Sequence, residues 1–207
     1  MNGYKPTVFL VDDDNAVRDA LELLLDSAGL STVSYPSAAA FLEDFDRNSR
    51  GCLVLDIRMP GMSGMELQAA LAEKSVNIPI IFLTGHGNVS MSAKAFRTGA
   101  IDFLEKPFDE NILLERIQEA IRLDQSNQTV AARRVNASTR MASLTPRERE
   151  VMLLIVAGNA NKEIATKLDL STRTIETHRG HILEKTGAQS LADLIELAIA
   201  SGSHELK

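Results

Sequence analysis

At 207 residues with 44% apolar side chains, the chain suits one large or two small domains and is too apolar to be disordered. No run approaches the ~20 apolar residues of a membrane helix, and residues 1–6 carry no apolar signal region. The net charge of −6 is uneven: residues 1–122 hold 11 basic and 18 acidic side chains, residues 123–207 hold 11 and 10, so only the second part approaches a polyanion without strong repulsion. Cys52 is the one cysteine, which excludes an intrachain disulfide. Its place in an apolar run predicts a buried structural thiol, in keeping with a reducing cytoplasm.

Residues 7–11 read as a strand. Ala16, Val17, Ala20, Leu21, Leu24 and Ala28 then recur at helical spacing until Gly29. A weaker strand at 32–35 and a short helix at 38–45 precede a strand at 52–55. Ser63-Gly64-Met65-Glu66 is a capping box opening a helix through Leu67 and Leu71. Pro79 introduces a strand at 80–83; a helix at 89–98 stops at Gly99; a fifth strand follows at 101–104 and a helix at 110–123. Five strands alternating with five helices predict an α/β domain with a parallel sheet covered on both faces, and the nearly continuous apolar strands agree.

From Asp124 to Ala142 the chain is rich in Gln, Asn, Ser, Thr and Arg, and is read as a linker whose start can extend the preceding helix. Beyond Leu144 there is no strand signal. Thr145-Pro146-Arg147-Glu148 starts a helix carrying Val151, Leu154 and Ile155. A short helix at 161–168, a turn at Asp169-Leu170, and a longer helix capped by Ser171 and stopped by Gly187 form a helix-turn-helix pattern. Ser190 caps a fourth helix, 191–201, so this part is all-α.

The strand ends carry the chemistry. Leu53-Val54-Leu55 stops on Asp56, Val8-Phe9-Leu10-Val11 on Asp12-Asp13-Asp14, Ile80-Ile81-Phe82-Leu83 on Thr84, and the fifth strand leads through Glu105 to Lys106-Pro107. Carboxyl ends of parallel strands face the crevice where open α/β sheets place their ligands. Converging carboxylates repel by about 4 kcal/mol per pair at ~4 Å and an effective dielectric of 20, so Asp12, Asp13 and Asp56 call for a cation. A carboxylate can accept a phosphoryl group, which Lys106 and Thr84 are chemically suited to meet.

Residues 7–123 resemble the receiver domain of bacterial response regulators, through Val11-Asp12-Asp13-Asp14, Leu55-Asp56-Ile57-Arg58-Met59-Pro60-Gly61, Leu83-Thr84-Gly85-His86 and Leu104-Glu105-Lys106-Pro107-Phe108. The resemblance implies a five-stranded, doubly wound, flavodoxin-like receiver over 5–123, with Asp56 accepting a phosphoryl group from a sensor histidine kinase. It implies Mg²⁺ held by Asp13, Asp56 and the backbone carbonyl of Arg58, with Asp12 assisting through water. Lys106 and Thr84 would meet the phosphoryl oxygens, Thr84 and Phe103 would form the switch, and the bond before Pro107 would be cis. Gly85 replaces the Ala of many receivers, and Arg58 would shape water access to phosphorylated Asp56.

In the longer C-terminal helix, 100° per residue from Ile175 puts Ile182 and Leu183 on one face and Arg173, Thr177, Gly180, His181 and Glu184 on the other, with Glu176 and Lys185 on the flanks. Such a face suits a major groove: Gly180 allows close approach, Glu176 can accept from a cytosine amino group, and Lys162 and Lys185 are candidates for phosphates. His178 and His181 have helical spacing, but no further His or Cys lies near them in sequence to complete a metal site. Leu144 to Val151, Asn161-Lys162-Glu163-Ile164-Ala165 and Ser171 to His178 resemble the LuxR-type DNA-binding domain over 141–204, after a linker at 124–140. Together the resemblances imply a regulator of the NarL/FixJ type, which on phosphorylation forms a homodimer, binds promoter DNA, engages RNA polymerase and activates transcription. A phosphohydrolase with an aspartyl intermediate is the enzymatic rival, against which Ala16 stands where such enzymes have Thr or Val. A receiver-like regulator indifferent to phosphate is the third reading. The expectation is a cytoplasmic switch with no membrane contact, not an enzyme of multiple turnover.

Overall fold

A computed structural model describes residues 5–85 and 101–203. The chain divides into two compact units, the first ending at Asn127 and the second starting at Gln128.

In the first unit the elements run β1 (Thr7–Val11), α1 (Asn15–Ser27), β2 (Ser31–Tyr35), α2 (Ala38–Asp44), β3 (Gly51–Asp56), α3 (Gly64–Glu73), β4 (Ile80–Thr84) and β5 (Asp102–Glu105), followed by α4 (Glu110–Ala142). The five strands form one parallel sheet in the order β2-β1-β3-β4-β5. The predicted helix at 89–98, with His86, lies outside the described residues.

Side chains alternate across the sheet as the strand pleat requires. Phe9, Val11, Leu53, Leu55 and Phe82 share one core with Phe41 of α2 and Leu67 and Leu71 of α3. Val8, Leu10, Cys52, Val54, Ile81 and Leu83 share the other with Leu21 and Leu25 of α1 and Leu113, Ile117 and Ala120 of α4. Every residue of β3 and β4 is buried, so these strands read as unbroken apolar runs. Cys52 is fully buried, and burial pushes its thiol up to about 12, with Asp124 adding to the effect. β3 opens with Gly51 at φ +131°, where a Cβ would stand 1.9 Å from the Thr7 carbonyl oxygen, so no other residue fits.

The helix predicted over 110–123 runs on unbroken to Ala142, so the residues read as a linker at 124–140 are helical throughout. No Gly or Pro lies between Glu110 and Ala142, and polar residues do not by themselves stop a helix whose ends are held. Asp124 is buried and accepts the Gly51 N–H at 3.0 Å, while Ala137 and Met141 are buried at the other end.

The second unit holds the rest of α4, then α5 (Pro146–Val156), α6 (Asn161–Leu168), α7 (Thr172–Thr186) and α8 (Leu191–Ser201). Met141, Val151, Met152, Ile155, Ile164, Ile175, Ile182, Leu194 and Ala198 close one core. Between α6 and α7 the backbone turns through Asp169 in the left-handed region, and Ser171 accepts the Thr174 N–H at 3.0 Å to start α7. Among the described residues no helix is long and apolar enough to cross a membrane.

Candidate functional site

Strand order brings the predicted receiver residues together. β3 is central, so Asp56 emerges between the acids that follow β1 and the Thr84 that ends β4. Asp12, Asp56 and Thr84 are all buried. The Lys106 ammonium donates to Asp12 Oδ2 at 2.6 Å and to Asp56 Oδ1 at 2.8 Å, joining the two strand ends. The Lys106 backbone N–H donates to the Thr84 carbonyl at 2.6 Å. The Lys106–Pro107 bond is cis.

The remaining oxygens of the two acids are also engaged. Asp12 Oδ1 accepts the Asp14 N–H at 2.9 Å, and Asp56 Oδ2 accepts the Arg58 N–H at 2.6 Å. Asp14 caps α1 through the N–H groups of Ala16 and Val17. Asp13, between them, is exposed, and with Arg58, Met59, Pro60 and Glu66 it lines an open groove. The Arg58 side chain is exposed, while Ile57 and Met59 on either side are buried and fix the loop. Phe103, paired with Phe82 in the sheet register, is half-buried against the core that holds Phe9 and Phe41.

Burial pushes the Asp56 carboxyl above its ordinary range despite the opposing pull of Lys106; the charge of Asp12 adds to the rise. Partial burial works to lower the Lys106 ammonium, but its bonds to Asp12 and Asp56 win and hold it high. Two carboxylates share one cation, so the cluster keeps an excess of negative charge. Among the described residues no three His, Cys, Asp or Glu side chains make a complete metal cage. Mg²⁺ does not need one: it takes one or two carboxylates and completes its octahedron with water and phosphate oxygens. The donor chemistry of Asp56 and the exposed Asp13, with Asp12 close by, suits such an ion.

One contact was missed by sequence reasoning: Arg18, in the first turns of α1, donates to the Asp12 carbonyl at 2.6 Å and braces the acidic loop. Its position eighteen residues into the chain carried no motif signal.

Family models match residues 8–118 as a response regulator receiver domain and residues 142–198 as the luxR family of bacterial regulatory proteins. The chain is a response regulator with a LuxR-type DNA-binding domain. It is 42% identical to the transcriptional regulatory protein FixJ of Bradyrhizobium diazoefficiens, over 96% of this chain and 97% of that one. It is 41% identical to the response regulator protein TodT of Pseudomonas putida, over 95% of this chain and 87% of the relative. Among solved structures, the response regulator StyR superposes with a TM-score of 0.84 at 43% identity, covering 94% of this chain and 98% of StyR. Full-length FixJ from B. japonicum matches at 42% identity with a TM-score of 0.59, covering 96% and 98%. The domain pair and these relatives make the chain a regulator of transcription.

In the DNA-binding domain, α7 buries Ile175, Ile182 and Thr186 and leaves Arg173, Glu176, Thr177, Gly180, His181 and Glu184 exposed along one stripe. Lys162, on α6, is exposed as well. A Cβ at Gly180 would meet nothing within 4 Å. Lys185 is placed differently from the other candidates: its ammonium donates to both oxygens of Glu148, at 2.8 and 2.7 Å. Glu148 is buried and also accepts from the Thr145 N–H and hydroxyl, at 2.8 and 2.9 Å. The Thr145–Glu148 box was visible in the sequence, but its partner 37 residues away was not.

The bond from Lys185, aided by the Thr145 N–H, holds Glu148 well below the usual carboxylate range, at about 2 instead of 4.5. A carboxylate held lower in the folded state than in the unfolded chain stabilises the fold above about pH 4.5, and that contribution drains away as pH falls towards 2. The thermal midpoint of the DNA-binding domain is therefore expected to fall through this window, and Glu148→Gln to flatten the fall. Circular dichroism melts from pH 6 down to pH 2 check this; parallel curves for the two proteins contradict it.

Proposed function

We propose that Asp56 is the phosphoryl acceptor and that its phosphorylation by a sensor histidine kinase controls promoter binding. The observation that carries this is the Lys106 bridge between the buried Asp12 and Asp56, beside the buried Thr84. An Asp56 carboxylate oxygen attacks the phosphorus of a kinase phosphohistidine; the P–O bond forms, the P–N bond breaks, and the electron pair leaves with the imidazole nitrogen. Asp13, Asp56 and the Arg58 carbonyl would hold Mg²⁺, with Asp12 acting through water. Bound there, the ion offsets the negative charge of the carboxylates and the phosphoryl oxygens. Lys106 keeps one ammonium beside the new phosphoryl group, and the Thr84 hydroxyl donates to another of its oxygens. Displacement of Thr84 towards the phosphoryl group leaves space that Phe103 fills from its half-buried position.

The output is a homodimer that sets two α7 helices on half-sites of one operator, with Arg173, Glu176, Thr177, Gly180 and His181 towards the bases and Lys162 towards phosphate. Lys185 serves α7 through Glu148 and contributes less to phosphate contact than its position on the helix suggested. Residues 5–123 act as the receiver and 141–204 as the DNA-binding domain of a cytoplasmic activator that contacts RNA polymerase. The receiver performs only its own phosphoryl transfer and slow dephosphorylation, without multiple turnover on other substrates. Turning such a switch from 1:99 to 99:1 takes about 5.5 kcal/mol, within reach of several charge-assisted hydrogen bonds and a dimer contact.

Genomic footprinting with and without a phosphodonor tests the reading. Protected promoter sites should emerge or deepen with the donor in wild type; protection that is identical in both conditions overturns the switch.

A further inference from the structure

We propose that Arg140, at the end of α4, is a positioning residue for the recognition helix, which it holds by its final turn; this rests on the reading of α7 as the helix that enters DNA. The last carbonyls of a helix have no partner within it and carry the negative end of its dipole. In α7 the Thr186 carbonyl accepts the Arg140 Nε–H, a charge-assisted bond between residues 46 apart in the chain. The contact is built in from both sides. Gly187 ends α7 in the left-handed region at φ +62°, and a Cβ there would stand 3.0 Å from Arg140 Nη2, so the glycine leaves room for the guanidinium. Ser143 donates to the Arg140 carbonyl at 2.7 Å, tying down the end of α4.

The preceding residue of the same turn, Lys185, is held by Glu148 of α5. The end of α7 is thus fixed at a carbonyl by α4 and at an ammonium by α5. The exposed stripe from Arg173 to His181 lies on the helix so fixed, and its aim depends on the final turn staying wound. A guanidinium presents donors in a rigid plane, whereas a lysine ammonium is a rotating point charge, so the two are not equivalent here. The arginine acts on recognition without itself belonging to the exposed stripe of α7.

The test uses the full chain and a duplex selected by the wild-type protein from a random pool, beside an unselected duplex of equal length. Arg140→Met is expected to weaken binding to the selected duplex about tenfold and to leave the unselected one nearly unchanged, with faster amide exchange at residues 185–188. Arg140→Lys, which keeps the charge and guards against a folding failure of the first variant, is expected to lose about threefold on the selected duplex alone. Arg133→Met, at a residue lining the same groove as Arg140 and Gly187, removes equal charge without touching Thr186 and should affect both duplexes alike. Selected-duplex affinities within twofold of wild type for both Arg140 variants, or equal losses on both duplexes, overturn the role. Failure of the wild type to enrich any duplex overturns the reading of α7 as well.

Discussion

Asp56→Asn is expected to abolish phosphoryl uptake and to leave operator binding at its resting level whatever phosphodonor is supplied. The expectation follows from where β3 lies. A phosphoryl group on Asp56 has the acids of β1 on one side and Thr84 and Lys106 on the other, because β3 is the central strand. The neighbouring acids lack this setting. Asp12 lies one strand further from Thr84 and is held by Lys106, Asp14 and, at its carbonyl, Arg18. Asp13 is exposed and lines the adjoining groove. An asparagine preserves size and can still accept from Lys106, so the receiver should remain folded while the nucleophilic oxygen is lost. Incorporation of labelled phosphate from a small acyl phosphate, with circular dichroism as the folding control, checks this. Undiminished incorporation in the variant would move the acceptor to another residue.

Gly180→Leu should push fold and function in opposite directions. Gly180 is exposed in the middle of α7, and a Cβ there meets nothing within 4 Å. Replacing a helical glycine with a strong helix former is worth about 0.5–1 kcal/mol of stability, so the thermal midpoint should rise by a few degrees. The same side chain would stand in the path of the base edges. If α7 enters the groove along its exposed stripe, operator affinity should fall about a hundredfold, roughly 2.7 kcal/mol. Melting curves and fluorescence anisotropy on one preparation read both effects. A stabilised variant that binds normally would remove Gly180 from the interface, and with it the proposed aim of the stripe.

Legibility in the sequence followed the range of the forces involved. Asp56, Asp12 and Thr84 were visible because a strand buried on both faces is an apolar run, and a polar residue at its end is conspicuous. The turn from α6 to α7 and the caps at Ser171 and Ser190 were visible for a similar reason, since a cap acts over three residues. How far the helix continues past Leu123 was not legible, because the polar composition of residues 124–142 signals a lack of core contact, whereas the helix there needs only uninterrupted helical residues and anchors at Asp124, Ala137 and Met141. The Arg140–Thr186 and Lys185–Glu148 contacts join residues 46 and 37 apart, and no local period encodes such pairs. Lys185 looked like a free cation on a helix flank until the fold supplied its partner.

Phosphorylation at Asp56 is proposed to set the DNA affinity of the second domain. Its most direct test is an anisotropy titration of the wild-type chain on its selected duplex in saturating Mg²⁺, with and without a phosphodonor, alongside Asp56→Asn. Wild type is expected to bind at least about tenfold more tightly with the donor, and the variant to show no change. Equal affinity in wild type with and without phosphoryl transfer, or an undiminished response in Asp56→Asn, would contradict it.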